Sequence, residues 1–177
     1  MSDVAVTRSG PQGMIILRGN LSDTALQAVC TALTGADMPA QGKITMNGDK
    51  AIGWMSPDEL LLFVPYDDAD NAVTTLAKTL QGQHHLAVNV SDARAMVTVA
   101  GAGTRDVIAK LTPVDLHPDS LPVGKLRRTH LGQVAAAFWL TDATSAQVIC
   151  FRSVADYMFD LLTTSAAAGP VHHLRDA

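Results

Sequence analysis

Residues 44–64 read ITMNGDKAIGWMSPDELLLFV, and this stretch decides the fold. Apolar and polar residues alternate on both sides of the Asn47-Gly48 pair, which is the sequence signature of a β-hairpin. A second turn follows at residues 56–59, and the apolar run of residues 60–64 is typical of a more deeply buried strand. The stretch therefore predicts three consecutive antiparallel strands.

The sequence upstream of this stretch predicts a strand and a helix. Residues 14–17 form a short apolar run between glycines, the pattern of a buried strand. An apolar stripe follows, with Ser22 placed to cap a helix and Thr34-Gly35 placed to end it. Residues 1–12 are polar and turn-rich, and we expect a loose arm there.

The sequence downstream predicts an amphipathic helix. We expect Asp67 to cap this helix and Gly82 to close it. Its predicted buried face consists of Ala69, Val73, Leu76, Ala77 and Leu80.

The second half of the chain again predicts strands followed by helices. Alternating apolar residues predict strands around residues 86–90 and 95–99, separated by a Ser91-Asp92-Ala93 turn. A short helix from Thr104 to Leu111 and a proline-bearing loop come next. Further strands are predicted over residues 127–131, 134–140 and 146–151.

The last predicted helix opens with Ser153 and Asp156 at capping-box spacing, with Asp in place of the usual Glu. Its predicted buried stripe consists of Val154, Tyr157, Met158, Leu161 and Leu162.

This order of elements predicts an α+β fold, in which antiparallel sheets are covered by helices. We expect two small subdomains, an N-terminal one over residues 1–82 and a C-terminal one over residues 83–177, packed as one globular unit. The two halves resemble each other in element order, but they show no sequence repeat.

The charge and composition of the chain bear on which partners it is expected to bind. Thirteen Lys and Arg against 17 Asp and Glu give a net charge of −4, and the basic pair Arg127–Arg128 is explained equally well by two solvated strand residues. We therefore expect no nucleic-acid partner. Charged residues make up only 17% of the chain. Either apolar surface is left for a partner protein, or alanines are spread over the helices without consequence.

The cysteines, the first residues and the length of the apolar runs indicate where in the cell the protein is expected. Cys30 and Cys150 fall in a helical and a strand pattern, where a small buried hydrophobe is the usual explanation. The first residues contain no apolar core of a secretory signal, and no apolar run reaches the length of a membrane span. We expect a cytoplasmic protein that contacts no membrane.

Motifs of cofactor and metal chemistry are incomplete. Gly101-Ala102-Gly103 lies between a strand and a helix, but Asp106 stands where the dinucleotide fingerprint needs its third glycine. Neighbours in a strand point to opposite faces, so neither of the adjacent pairs His84-His85 and His172-His173 would form a chelating site alone, and His117 and His130 are isolated. No metal site is expected.

Nucleophile motifs are absent as well, so no catalytic residue is identified. The best polar cluster is Ser91-Asp92-Ala93-Arg94. It could hold a ligand, although such a pair more often locks its own turn.

Several segments between residues 50 and 162 lie in an order and at a spacing that match a known family. They are residues 54–62 (WMSPDELLL), 90–94 (VSDAR), 101–110 (GAGTRDVIAK), 113–118 (PVDLHP), 124–131 (GKLRRTHL) and 151–157 (FRSVADY). Together they resemble the gamma subunits of heterotetrameric sarcosine oxidase. The first segment is similar to that family's W-L-G-P-D-E-W-L-L, with Leu60 in place of the second Trp and Met55-Ser56 in place of Leu-Gly.

The resemblance implies the folate-binding-domain fold of glycine-cleavage aminomethyltransferase. It also implies membership of an alpha-beta-gamma-delta assembly that demethylates sarcosine to glycine, hydrogen peroxide and, with tetrahydrofolate, methylene-tetrahydrofolate. In that family FAD, FMN, NAD and folate are carried by the alpha and beta subunits and zinc by delta. Gamma packs chiefly on alpha and carries no cofactor.

A second hypothesis is a stand-alone folate-binding or aminomethyltransferase-like protein. A pterin pocket needs a buried carboxylate, and the glutamate tail of folate needs basic partners. Only Asp92, Arg94, Arg127 and Arg128 are plausible suppliers. Titration with tetrahydrofolate discriminates between the two hypotheses.

Overall fold

The computed structural model describes residues 3–169. In chain order the strands and helices are β1 (Ala5–Arg8), β2 (Gly13–Arg18), α1 (Thr24–Thr34), β3 (Ile44–Asn47), β4 (Lys50–Ser56), β5 (Glu59–Val64), α2 (Ala69–Thr79), β6 (Leu86–Asn89), β7 (Arg94–Ala100), α3 (Thr104–Ala109), β8 (Arg127–Leu131), β9 (Val134–Leu140), β10 (Ser145–Phe151) and α4 (Ala155–Ala167). The α+β class with antiparallel sheets is confirmed.

Contacts along the chain define two compact units. The middle unit is Pro11–Asp92, and the terminal unit combines the residues up to Gly10 with those from Ala93 onward. The predicted division after residue 82 differs from this one for two reasons. β6 hydrogen-bonds to β2 and so belongs with the first half, and β1 hydrogen-bonds to β7 and so belongs with the second.

The middle unit contains a five-stranded antiparallel sheet in the order β3-β4-β5-β2-β6. The predicted hairpin is present, with Asn47 opposite Lys50 and Gly48 in the left-handed region at φ 62°. β5 is buried along its whole length, as its unbroken apolar run predicts. α1 and α2 pack against one face of the sheet and enclose a core that includes Ile15, Leu17, Leu26, Leu62 and Leu76.

The two helices of the middle unit correct three predictions, two on helix starts and one on a buried face. The N-cap of α1 is Asp23, not Ser22, because the Asp23 carboxylate accepts the N–H groups of Ala25 and Leu26. Asp67 lies in a 3-10 turn, and α2 begins only at Ala69 with no side-chain cap. On the buried face of α2, Ala72 replaces Ala77, which is exposed.

The terminal unit contains a second five-stranded antiparallel sheet in the order β1-β7-β10-β9-β8. Its edge strand β1 corrects the expectation of a loose arm, because Ala5–Arg8 pairs with Val97–Ala100. The core between this sheet and its helices includes Val99, Ile108, Phe138, Val148 and Leu162.

The helices of the terminal unit also depart from the sequence patterns. α3 ends at Ala109, and α4 begins at Ala155 after a 3-10 turn, without the predicted capping box. Tyr157 is half exposed and Leu161 only half buried, whereas Ser165 and Ala166 are buried. Among the described residues, no helix is long and apolar enough to cross a bilayer.

Candidate functional site

One concavity of the middle unit is a cleft of about 330 Å³ beside the β4–β5 hairpin, here called the Trp54 cleft. It is lined by Leu21, Ser22, Gln27, Met38, Pro39, Gln41, Trp54, Pro57 and Leu60. None of these side chains carries a charge, and the cleft combines apolar side chains with the polar groups of Ser22, Gln27 and Gln41. It offers no acid, base or nucleophile stronger than a serine hydroxyl.

The hairpin turn next to the cleft holds a compact polar network. The Ser56 hydroxyl donates to Asp58 at 2.7 Å, and Arg18 donates to Asp58 at 3.2 Å and to the buried carboxylate of Glu59. The hydrogen bond from Ser56 is the main cause that lowers the pKa of Asp58, and Arg18 adds to it. The P-D-E part of the first family-like segment therefore fixes the turn that positions Trp54 and Pro57.

Two other family-like segments stabilise each other in the terminal unit. Arg105, from GAGTRDVIAK, donates to the carbonyl oxygens of Leu116 and Leu121 at 2.6 and 3.0 Å. Leu116 belongs to PVDLHP, where the Asp115 carboxylate accepts the N–H of His117 at 2.9 Å. These polar side chains therefore hold the proline-bearing loop in place.

The predicted polar cluster at residues 91–94 is built into main-chain turns. Ser91 is buried, and its hydroxyl accepts the N–H of Met14 at 2.9 Å. Asp92 is exposed and accepts the hydroxyl of Tyr66 at 2.8 Å. Arg94 lies in the terminal unit, where its guanidinium stands 5.1 Å from the ring centre of Phe151.

The remaining folate candidates lie on β8. Arg127 pairs with Phe138 and Arg128 with Ala137, so the two neighbouring side chains point to opposite faces of the sheet. Asp92, the carboxylate that a pterin would need buried, is exposed. The sequence hypothesis required a buried carboxylate, and this exposure of Asp92 differs from that requirement.

The glycine pair at residues 101–103 serves the fold. Gly101 has φ 143°, and a Cβ added there would lie 1.9 Å from the main-chain oxygen of Asp3. The close approach of the chain at residues 3 and 4 and the positive φ therefore explain why this position requires glycine.

The cysteines have the character of core residues. Burial raises the pKa of the Cys30 thiol to about 12, and it also raises the pKa of Cys150, against the opposing effect of Arg94. Neither thiol is therefore prepared as a nucleophile at neutral pH.

Within residues 3–169, no three His, Cys, Asp or Glu side chains converge on a position that could hold a metal ion. His117 contacts Asp119 at 3.6 Å, a two-residue arrangement within one turn. The pair His172-His173 lies outside the described residues.

Sequence reasoning missed the Trp54 cleft, because Met38, Pro39 and Gln41 come from a loop without any periodic pattern. It predicted β6 as a strand but did not anticipate how exposed its apolar residues are. Leu86 and Val88 expose 51% and 40% of their surface.

Comparison with known proteins decides the family. Residues 18–168 match the family model described as sarcosine oxidase, gamma subunit family. The chain belongs to that family. A curated relative, the sarcosine oxidase subunit gamma of an Arthrobacter species, is 27% identical over 128 residues. That alignment covers 71% of this chain and 62% of the relative, so the match spans less than two thirds of the relative's length.

Solved structures confirm the fold of this gamma subunit family member. A chain of the heterotetrameric sarcosine oxidase from Corynebacterium sp. U-96, in complex with pyrrole 2-carboxylate, superimposes with a TM-score of 0.84 and 24% identity, over 93% of this chain and 84% of that one. Glycine cleavage system aminomethyltransferase T from Bartonella henselae superimposes with a TM-score of 0.66 and 10% identity, over 91% of this chain and 45% of that one. The folate-binding-domain fold expected from the sequence is therefore confirmed.

Proposed function

We propose that this chain is the non-catalytic gamma subunit of a heterotetrameric sarcosine oxidase, with the alpha subunit as its chief partner and beta and delta in the same assembly. The observation that carries the proposal is the family match over residues 18–168. The assembly would demethylate sarcosine to glycine, hydrogen peroxide and methylene-tetrahydrofolate in the cytoplasm. FAD, FMN, NAD and tetrahydrofolate would reside on alpha and beta, and zinc on delta.

The contacts of the described residues support this role. The polar side chains of the family-like segments, such as Ser56, Asp58 and Arg105, are engaged in turns and loops rather than directed into a common pocket. The Trp54 cleft is uncharged. An uncharged cleft of mixed polar and apolar side chains is a suitable contact surface for a partner protein.

Co-expression with a tagged alpha subunit tests the proposal. We expect the chain to co-purify at one copy per alpha subunit and to remain bound during gel filtration in 0.5 M salt, since apolar contacts are not screened. Recovery of alpha without this chain, in a preparation where beta and delta are retained, would contradict the proposal.

A second measurement addresses the non-catalytic role. In the purified assembly, Asp92→Asn and Arg128→Gln should leave kcat/KM for sarcosine within about twofold of the unmodified assembly. A loss beyond about tenfold with all four subunits present would show that this chain contributes to the reaction.

The folate hypothesis is tested on the isolated chain. Calorimetric titration with tetrahydrofolate should give no binding heat, because Asp92, the carboxylate that a pterin would need buried, is exposed. Saturable heat that disappears in Asp92→Asn would support folate binding instead.

A further inference from the structure

The two sheets have four edge strands among the described residues, and one of them differs from the rest. β1 and β8 bound the sheet of the terminal unit, and β3 and β6 bound that of the middle unit. An edge strand presents unpaired main-chain groups to any passing chain, so proteins usually protect it with charges or cover it.

Charged side chains protect both edges of the terminal unit. β8 carries Arg127 and Arg128. On β1, Arg8 donates to Asp156 at 2.8 Å, and its guanidinium lies 4.4 Å from the ring centre of Phe159. Pairing of another strand at either edge would have to displace or desolvate these charges.

The edge at β3 is protected by its own chain. Thr45 donates to the main-chain oxygen of Asp37, and Asn47 donates to that of Thr34 at 3.4 Å. The segment that follows α1 thus lies alongside β3.

β6 carries no charged side chain of its own, and the Asp70 carboxylate of α2 accepts from its Asn89 side chain at 2.8 Å on the face opposite Leu86 and Val88. The sequence between Lys78 and Asp92 contains no Asp, Glu, Lys or Arg. Leu86 and Val88 project from the same face of the strand and expose 51% and 40% of their surface. This uncharged aliphatic edge is therefore the one most suited to pairing.

The hydrogen bonds of β6 show which main-chain groups point outward. The N–H of Val90 donates to Met14 at 2.8 Å, and Val88 lies opposite Ile16 in the same register. In an antiparallel ladder the direction of the N–H alternates, so the N–H and C=O groups of Ala87 and Asn89 point away from β2. They form a short open ladder next to two exposed aliphatic side chains.

We propose that β6 is a strand-addition site for an extended, uncharged aliphatic segment of a partner subunit. This inference rests on the proposed function and deepens it by naming the surface. The incoming main chain would bond to Ala87 and Asn89, and its side chains would pack on Leu86 and Val88. A four-residue strand covers far less than the ~1,200 Å² or more that a stable interface buries. The edge therefore suits a subunit that is also held by other contacts, rather than a second copy of this chain.

A pair of matched variants tests the proposal in the co-expressed four-subunit assembly. Val88→Lys places a charge on this edge, and Met46→Lys places one on β3, where the side chain is equally exposed at 40%. We expect Val88→Lys to weaken retention of this chain in a dilution series by about tenfold or more. Met46→Lys should change it by less than about twofold, and the thermal midpoints of the isolated variants should agree.

The outcomes separate this inference from the proposed function. If the unmodified chain does not join the assembly, the proposed function fails. If it joins, and Val88→Lys is retained as tightly as Met46→Lys, only the strand-addition site is overturned. A dimer of the isolated chain that Val88→Lys abolishes, with the assembly unaffected, would overturn it in favour of a second copy.

Hydrogen exchange provides a direct readout without any substitution. The amides of Ala87 and Asn89 should exchange rapidly in the isolated chain and at least about tenfold more slowly in the assembly. Unchanged exchange of both amides in an intact assembly would overturn the proposal.

Discussion

The middle and terminal units are built on the same plan and completed in different ways. In each, one strand leads into a helix, β2 into α1 and β7 into α3. Three antiparallel strands follow, and a second helix crosses the same sheet face. The strand orders β3-β4-β5-β2-β6 and β8-β9-β10-β7-β1 correspond position by position. The fifth strand differs in its origin. In the middle unit it is β6, which comes after the second helix, and in the terminal unit it is β1, which comes before all the other elements of that unit. The fifth strand is therefore the variable part of this architecture.

Equivalent residues show how far the correspondence extends. Asp70 and Asp156 are each the second residue of the helix that crosses the sheet. Asp70 accepts from Asn89 on β6, and Asp156 from Arg8 on β1, both at 2.8 Å. The edge strand thus contributes a neutral amide to this link in the middle unit and a cationic guanidinium in the terminal unit. This difference leaves β6 without a charged side chain of its own.

The largest expected effect tests whether the two cores are equivalent. Leu76 and Leu162 occupy corresponding helix positions and are both fully buried. Leu76→Ala and Leu162→Ala should each lower the free energy of unfolding of their own unit by about 3 kcal/mol, since each leaves a cavity.

The chain provides a separate probe for each unit. Trp54 reports on the middle unit and Trp139 on the terminal unit, so urea unfolding is followed in the Trp139→Phe and Trp54→Phe backgrounds. Thr75→Ala and Thr163→Ala are controls, because both residues are exposed and bond only within their own helix. A loss below about 1 kcal/mol for either leucine would break the equivalence.

An intermediate effect is expected at the glycines that precede α1 and α3. Gly101→Ala forces an unfavourable φ and a contact with the main chain of Asp3, so it should cost about 2 kcal/mol. Gly19→Ala meets only the flexible end of Leu26 at 3.0 Å and should cost less than about 0.5 kcal/mol. Thermal unfolding measures both. Equal costs would show that β1 is not held against Gly101.

The smallest effect concerns the corresponding turns after β4 and β9. The pKa of Asp58 is lowered chiefly by the Ser56 hydroxyl, whereas that of Asp142 is lowered chiefly by the main-chain N–H of Thr144. A lowered pKa in the folded chain contributes stability above the ordinary pKa of an aspartate. That contribution is lost as the pH falls through the folded value.

Carboxyl NMR titration distinguishes the two causes. Ser56→Ala should raise the pKa of Asp58 towards its ordinary value. Thr144→Ala keeps the N–H that donates to Asp142 at 2.8 Å, so the pKa of Asp142 should move less. A larger shift for Asp142 would contradict this assignment.

The fold was predictable wherever the local pattern and the tertiary structure agree. The Asn47-Gly48 hairpin and the three strands from β8 to β10 lie where alternation and turn residues place them. Helix starts were predicted less well. Ser22 and Asp23 are both good caps, and only the tertiary path of the chain selects Asp23. β1 is only four residues long, and its pairing with β7 far along the chain leaves no local signal.

The candidate site was predictable only in part. The sequence indicated a low content of charged residues, and the family followed from short segments such as those around Trp54 and Arg105. The Trp54 cleft was not predictable, since it combines a helix start, a loop and a hairpin. The exposure of Val88 was not predictable either, because alternation marks an apolar face without showing whether anything covers it.

The origin of β1 at the start of the chain has a consequence for biosynthesis. A ribosome releases β1 before β7, which emerges only after Pro11–Asp92, roughly 80 residues and about 4–16 s later at ~5–20 residues per second. During that time the intervening segment holds every strand of its own sheet and can mature. The nascent amino-terminal segment must meanwhile wait, unpaired, for a partner that has not yet been made.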